Sequence, residues 1–203
     1  GRFGKLSIIQ SNVFWQRPQS YYDQDSWRGT WMLDGGALMN QASHYVDLLE
    51  WLGGPVKSVN ANIATIARKI EAEDTATLNL EWINGAIGTM AVTMLAYPFN
   101  LEGSITILGE KGSVKIGGKA VNDIEYWHFE DESSDDKLVE QSTYETNSVY
   151  GFGHPLYYEN MIEVLEGKSL PMCDGRSGLR SLELLTSAYK SAKERKTIFL
   201  KNL

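Results

Sequence analysis

Cysteine is nearly missing from this 203-residue sequence, in which Cys173 stands alone. A single thiol cannot form an intramolecular disulfide, and it cannot build a multi-cysteine metal site. Such scarcity is typical of proteins from a reducing compartment. We therefore expect a cytoplasmic protein without a structural disulfide, and we predict no metal site.

Long apolar runs and clusters of basic residues are also lacking. No stretch reaches the roughly eighteen consecutive apolar residues that a membrane span requires, and the first residues lack the profile of a signal peptide. The net charge is −7, and much of it lies in residues 130–145, EDESSDDKLVEQSTYE. We expect neither a membrane nor nucleic acid as a partner. The acidic segment is interpreted as a solvated surface loop, with an acidic docking tail or a metal site as the alternatives.

A phosphate-binding glycine turn is the third missing feature. The chain contains no G-x-G-x-x-G between a strand and a helix, the signature by which a Rossmann domain holds a dinucleotide. The central glycines at 109, 112, 117 and 118 lie between strand-like runs and predict hairpin turns instead. We therefore expect no NAD binding by these residues alone.

The longest helical pattern runs from Gly35 to Gly54, GGALMNQASHYVDLLEWLGG. It contains no proline, and two glycines before a proline end it, so the pattern predicts one helix of about four turns. Asn40, His44 and Asp47 share one face at i, i+4 and i+7. The opposite face is apolar and is predicted to be buried: Leu38, Met39, Ala42, Val46, Leu49 and Leu52.

The polar face of this helix is a candidate catalytic face. Imidazole exchanges protons near neutral pH, so His44 is a candidate acid or base, while Asn40 can hold a hydroxyl without titrating. Gly35 and Gly36 let another group approach the helix N-terminus, where exposed amides favour a substrate or a phosphate. The alternative is a hydrogen-bonded structural histidine near the helix surface.

The loop before this helix concentrates planar and cationic side chains. Such groups suit sugar rings, carboxylates and phosphates, although Trp and Tyr also anchor cores. The position of the loop next to the start of the helix favours a binding role, and for Arg28 the alternative is a structural ion pair with Asp25 or Asp34. His154 and Tyr158, near a predicted helix N-terminus, are further candidates, for which helix capping is the alternative. The loop candidates are Arg17, Tyr21, Tyr22, Trp27, Arg28 and Trp31.

Strand-like segments come first along the chain and helical segments last. Residues 74–83 alternate apolar and polar side chains, and Asn84-Gly85 predicts a hairpin into residues 86–96. Further strands are predicted at 5–15, 56–67, 104–108, 113–116, 121–129 and 197–200, and helices at 154–166 and 176–193. This order predicts a single α+β domain over residues 1–203, with an open, mixed but mostly antiparallel sheet and helices packed on one face.

These motifs, in this order, resemble the substrate domain of the Gfo/Idh/MocA oxidoreductases, which are NAD(P)-dependent sugar and cyclitol dehydrogenases. The resemblance covers nearly the whole chain, through GKLSIIQSNVFW, WRGTW with GGALMNQASHYVDLLEWLGG, EDTATLNLEWINGAIGTM, ITILGEKGSVKI and GLRSLELLTSAYKSAKERKTIFL. It implies that His44 is the catalytic acid/base. It also implies that NAD or NADP is bound mainly by a preceding Rossmann domain, which carries the catalytic lysine of the family. We expect that domain to be absent from this chain, and the chain alone to be inactive.

One departure from the family pattern narrows the substrate. Most members have an aspartate where this chain has Asn40, so the residue here can bind a hydroxyl but cannot relay a proton. An Asn-Gln pair before the motif histidine is similar to the branch that oxidises C3 of UDP-N-acetylglucosaminuronate in surface polysaccharide synthesis. An inositol or a free hexose is the alternative substrate. The predicted substrate contacts are Arg17, Tyr22, Trp27, Arg28, Asn40, Gln41 and His154.

The resemblance further implies that the open face of the sheet is used for oligomerisation. Residues 86–96 are apolar on both alternating sets, a pattern that requires cover on both sides of the strand. We expect a homodimer or tetramer through that face, with the buried central strand of a monomer as the alternative. A non-catalytic carbohydrate-binding or dimerisation module is the alternative from another functional class.

Overall fold

The computed structural model describes residues 1–145 and 152–201, and within them eight strands form one open sheet. The order across the sheet is β7-β6-β5-β1-β4-β3-β2-β8, and within these residues β1 and β4 run parallel while the other neighbours are antiparallel. The strands are β1 (Leu6–Phe14), β2 (Val56–Ala64), β3 (Thr75–Trp82), β4 (Ile87–Thr93), β5 (Glu102–Gly109), β6 (Gly112–Gly117), β7 (Asp123–Phe129) and β8 (Ile198–Phe199).

The hairpin between β3 and β4 shows how the sequence builds this sheet. Leu78 and Trp82 of β3 point into the core, while the alternate side chain Asn79 is exposed. The turn follows because Gly85 adopts a φ of +88° that glycine tolerates, and the Ala86 N–H donates to the Asn84 side chain at 3.0 Å. The predicted hairpin is confirmed.

The fold is α+β, as predicted, and the described residues contain five α-helices. They are α1 (Gln19–Tyr22), α2 (Ser43–Gly53), α3 (Val139–Ser142), α4 (Gly153–Leu165) and α5 (Gly175–Glu194). α5 crosses β2 and contacts α2, which lies over β1, so Val46, Leu49 and Leu184 join the buried side chains of the sheet in one core. None of the helices in the described ranges is long and apolar enough to cross a bilayer.

The opposite face of the sheet mixes apolar and polar side chains. On β4, the alternate side chains that face the core are buried, and Met90 is 0% exposed. The side chains on the opposite face are Ile87, which is 59% exposed, Thr89 and Thr93. Ile87 lies beside Ile8 of β1 in register, and Ile8 is also exposed. Self-association through this face stays a prediction.

The prediction of one continuous helix from the double glycine is wrong in one respect. Residues Ala37–Gln41 form a π-helical turn, called the π-turn below, and α2 begins only at Ser43. The Ala42 N–H donates to the Ala37 carbonyl at 2.9 Å, which is the wider i to i−5 bond of such a turn. The apolar face is confirmed, since Leu38, Ala42, Val46 and Leu49 are fully buried and Met39 and Leu52 are partly buried.

The acidic segment also differs from the predicted loop. Residues Ser134–Leu138 form a 3₁₀ turn that continues into α3, because Ser133 and Asp136 cap its start reciprocally. Asp136 also accepts hydrogen bonds from the Arg2 guanidinium at 2.7 Å and from Trp127 Nε1 at 2.8 Å. These contacts hold the pKa of Asp136 well below its usual range, first through Arg2.

Asp74, directly before β3, is a buried carboxylate that holds the β2–β3 connection. It has no exposed surface, and it accepts the backbone N–H groups of Ile66, Ala67 and Arg68 at 2.9 Å each. Burial raises the pKa of Asp74, but these hydrogen bonds lower it further than burial raises it, so the net shift is downward.

Replacing Asp74 with asparagine is expected to lower the free energy of unfolding near neutral pH by about 1.5–3 kcal/mol, the usual contribution of hydrogen bonds to a charged group. Because the pKa is lowered in the folded state, this stabilisation is present above the unfolded value of about 3.9 and is lost as the pH falls through the folded-state pKa. Urea denaturation across this pH range, with the exposed Asp23→Asn as control, measures it. An equal loss at neutral and acidic pH would contradict the expectation.

Candidate functional site

A large cavity opens beside the start of α2, and its volume is about 1110 Å³. Five segments form its walls: the stretch that follows β1, the π-turn with the first residues of α2, the β6–β7 connection, the residues that follow α3, and the start of α4. The lining residues include Trp15, Arg17, Tyr21, Trp27, Arg28, Asn40, Gln41, His44, Tyr45, Tyr144, His154 and Tyr157.

His44 lies in the first turn of α2, four residues after Asn40, and its side chain is exposed to the cavity. Within residues 1–145 and 152–201 its imidazole has no hydrogen-bond partner and no ion pair. A structural histidine is normally held by such partners inside the fold. Both ring nitrogens of His44 are therefore available to a ligand hydroxyl.

Asn40 and Gln41 form an ordered pair of amides on the π-turn. The Asn40 Nδ2 group donates to Asp34 Oδ1, and Gln41 Nε2 donates to Asn40 Oδ1 and, at 3.1 Å, to the Tyr21 hydroxyl. A carboxylate only accepts hydrogen bonds, so Asp34 fixes which way the Asn40 amide points, and Asn40 then fixes Gln41. The side-chain amide oxygen of Gln41 is left as an acceptor at the cavity wall.

Asp47, the third polar residue of the predicted face, lies outside the cavity. It accepts a hydrogen bond from the Ser181 hydroxyl of α5 and thereby joins the two helices. Asp47 is seven residues after Asn40 but does not share its face, because the π-turn changes the helical phase before α2 begins.

A cationic wall is built around Tyr21. The Arg28 guanidinium lies 4.2 Å from the centre of the Tyr21 ring, and the Arg17 guanidinium lies 5.4 Å from it. Arg28 also stacks on Trp27 at 4.8 Å and donates from Nε to Asp25 at 2.9 Å. The two guanidiniums give the cavity a local positive charge in a chain whose net charge is −7. Such a wall is suited to an anionic ligand group.

The structure places most of the predicted contacts on this cavity but not Tyr22. Trp27 and His154 line it, whereas the Tyr22 ring is buried at 8% exposure outside the lining. Burial raises the pKa of Tyr22 to about 12. Its neighbour Tyr21 takes the cavity position, because consecutive residues of α1 face different directions. No sequence pattern predicts α1, so the sequence alone could not show which of the two tyrosines faces the cavity.

Several residues of the site were not predicted from the sequence. Trp15 and Tyr45 form an edge-to-face pair at 5.8 Å beneath the cavity, and both are buried. Asp34, which orients the amides, precedes the double glycine directly and carried no sequence signal of its role. Trp15 and Tyr45 lie on different elements and meet only in the fold, whereas Asp34 lies only six residues before Asn40.

The double glycine serves a different group from the one predicted. A Cβ on Gly36 would lie 2.0 Å from Glu73 Oε2, so the group that approaches this backbone is a buried carboxyl of the same chain. The prediction that Gly35 and Gly36 admit a substrate or phosphate is therefore wrong at this position. The space is already filled by Glu73.

Residues 1–145 and 152–201 contain neither a metal site nor a glycine turn of the kind that holds a dinucleotide. In the part of the chain that the structure describes, no group of three or more His, Cys, Asp or Glu side chains could hold a metal ion. The glycines of the β5–β6 hairpin join antiparallel strands and do not open a helix. They lack the arrangement that binds a pyrophosphate.

Solved structures similar to this chain include two dehydrogenases with bound ligands. The chain is 60% identical to the WlbA dehydrogenase from Bordetella pertussis, in complex with NADH and UDP-GlcNAcA, with a TM-score of 0.95. It is 56% identical to WlbA from Chromobacterium violaceum, with the same two ligands and a TM-score of 0.93. The matches cover 98% of this chain but only 58% and 56% of those chains.

Two sequence comparisons agree with the structural ones. An uncharacterized oxidoreductase from Synechocystis is 35% identical over 44% of this chain and 27% of its own length. A family model described as "Oxidoreductase family, C-terminal alpha/beta domain" matches residues 1–200. The chain therefore belongs to the Gfo/Idh/MocA oxidoreductase family and has the fold of its C-terminal α/β domain.

Proposed function

We propose that the protein carrying this chain is an NAD(P)-dependent dehydrogenase that oxidises a ring hydroxyl of a nucleotide-linked N-acetylated uronate, in surface polysaccharide synthesis in the cytoplasm. The observation that carries the proposal is the exposed His44 imidazole, without partners among the described residues, in a cavity with a cationic wall. Because the chain spans less than two thirds of its structural relatives, the activity is proposed for the whole protein.

The size and charge of the cavity support a nucleotide sugar over a free hexose or inositol. Its volume of about 1110 Å³ is slightly larger than the usual range of roughly 300–1,000 Å³ for small-molecule sites. A uronate linked to a nucleotide brings a carboxylate and a diphosphate, which guanidinium groups pair with well. Arg17 and Arg28 are assigned to these anions, and Trp27 and His154 to contacts along the rest of the ligand.

The proposed chemistry divides between this chain and its cofactor. When bound, the nicotinamide accepts the hydride from the carbon that carries the hydroxyl. His44 takes the hydroxyl proton, and Asn40 and Gln41 orient the hydroxyl by hydrogen bonds without titrating. The dinucleotide is held mainly by residues outside this chain, because the chain offers no phosphate-binding glycine turn.

Oxidation assays with the full-length protein test the substrate. NAD⁺ or NADP⁺ is supplied with UDP-N-acetylglucosaminuronate, with neutral UDP-N-acetylglucosamine, with inositol or with a free hexose, and the reduced nicotinamide is followed by absorbance. We expect turnover of the uronate with a kcat/KM above that of each alternative. Calorimetric binding of the uronate without any oxidation would instead support a non-catalytic carbohydrate-binding module. Faster oxidation of inositol or hexose would assign the other substrate class.

Association of copies through the open sheet face is part of this proposal. Ile8 and Ile87 are neighbours in register on that face, with 42% and 59% of their surfaces exposed. Adjacent exposed apolar side chains favour burial against a second copy. A homodimer or tetramer is expected.

A further inference from the structure

The π-turn that carries Asn40 and Gln41 is capped by residues from outside it. Its own N-cap residue, Gly36, has no side chain to accept hydrogen bonds. The Ala37 N–H instead donates to the Glu73 carbonyl at 2.8 Å, and the Leu38 N–H donates to Glu73 Oε1 at 2.9 Å. Free N–H groups at the start of a helical turn require such acceptors. Glu73 supplies two of them.

Tyr189 of α5 completes this cap. Its hydroxyl accepts the Met39 N–H at 3.2 Å and donates to Glu73 Oε1 at 2.9 Å. The N–H groups of three successive residues, Ala37 to Met39, are thus bound by Glu73 and Tyr189 alone. The orientation of the π-turn therefore depends on the segment just before β3 and on α5.

The Glu73 carboxyl group is buried, and one of its two oxygens is unpaired. It is only 1% exposed, its Oε2 atom has no hydrogen-bond partner, and no cation pairs with it in the described ranges. Burial raises its pKa, while the bonds from Leu38 and Tyr189 act in the opposite direction. Burying a carboxyl group without a cation costs free energy, and the hydrogen bonds from the π-turn and from Tyr189 offset part of that cost. Glu73 does not line the cavity and cannot touch a ligand there.

We propose that Glu73, together with Tyr189, is a positioning residue for the Asn40–Gln41 amide pair. The proposal rests on the proposed function, in which this pair orients the reacting hydroxyl beside His44. Glu73 binds the first two N–H groups of the turn and Tyr189 binds the third, and Asn40 and Gln41 are the next two residues on it. A displacement of the turn by about 1 Å is enough to lower a rate about 10²-fold.

Three substitutions in the full-length protein test the role of the cap. Glu73→Ala removes the side-chain acceptor and is expected to lower kcat about 100-fold with a smaller change in KM. Glu73→Gln keeps a carbonyl oxygen at the same place and should retain most of kcat. Tyr189→Phe removes only the hydroxyl and keeps the ring. It should lower kcat about tenfold, because the Met39 N–H loses its acceptor while the Leu38 N–H keeps Glu73. If Glu73→Ala does not fold, Tyr189→Phe alone tests the positioning role.

Glu50→Gln is the matched control. Glu50 is also a buried glutamate, with 8% of its surface exposed, and it accepts the Val56 N–H at 3.2 Å at the far end of α2. Burial raises its pKa as it does for Glu73. Its replacement should reduce stability and leave kcat unchanged, because it lies outside the cavity and does not contact the π-turn.

Hydrogen exchange of the backbone amides at 37–39 gives a readout that does not depend on activity. We expect faster exchange there in Glu73→Ala and Tyr189→Phe than in the wild type or Glu50→Gln. Unchanged exchange and unchanged kcat would overturn the proposal, as would an equal loss of kcat in Glu50→Gln. If the wild type oxidises no nucleotide sugar while exchange responds as expected, the proposed function fails and the structural role of Glu73 stands.

Discussion

Replacing His44 with asparagine in the full-length protein is expected to lower turnover of the nucleotide-linked uronate by about 10²–10⁴-fold, the usual contribution of a positioned acid/base. Asparagine can hold a hydroxyl but cannot accept its proton. KM should change far less than kcat, since His44 takes part in the reaction more than in binding. Steady-state kinetics with the uronate and NAD⁺ measure both constants.

A second histidine provides the control for this experiment. His128 lies on β7, is exposed, contacts the Tyr126 ring at 5.2 Å, and does not line the cavity. His128→Asn should leave kcat and KM at their wild-type values. Undiminished turnover in His44→Asn would remove His44 from the mechanism. A rise in KM alone would restrict His44 to binding.

Replacing Arg28 with lysine is expected to raise KM for the uronate about 10- to 100-fold, which corresponds to the loss of one charge-assisted pair. A guanidinium can bind a carboxylate through two hydrogen bonds, whereas an ammonium group cannot copy that geometry. KM for the neutral sugar nucleotide should rise much less, because it lacks the carboxylate. The measurement is therefore the KM of the wild type and of Arg28→Lys for each of the two substrates.

The structure also offers a structural role for Arg28, which the same experiment distinguishes. Arg28 is paired with Asp25 and stacked between Tyr21 and Trp27, so its loss could simply loosen the loop. In that case KM would rise equally for both substrates. Arg2→Lys is the matched control, since Arg2 is paired with Asp136 and stacked 4.1 Å from the centre of the Phe129 ring, away from the cavity. It should change neither KM.

The candidate site was only partly predictable from the sequence. His44 and Asn40 were identified because helical spacing and residue chemistry are local properties, and both line the cavity. Tyr22 was preferred over Tyr21 because the short helix α1 is not encoded by a recognisable local pattern. The group beside Gly36 could not be inferred at all, since Glu73 is far away in the chain and meets Gly36 only when β3 packs beside the π-turn.

The sequence by itself determined the strands, the β3–β4 hairpin, the apolar face of α2 and the α+β class, because alternation, helical spacing and turn residues act over a few neighbours. Only the tertiary structure decided that β1 pairs parallel to β4, that a π-turn interrupts the helix, and that Asp34 and Tyr21 orient the amide pair. The parallel pairing, the Tyr21 contact and the Glu73 cap of the π-turn join residues far apart in the chain, whereas Asp34 lies only six residues before Asn40. Their energies exceed local preferences, and no local pattern records them.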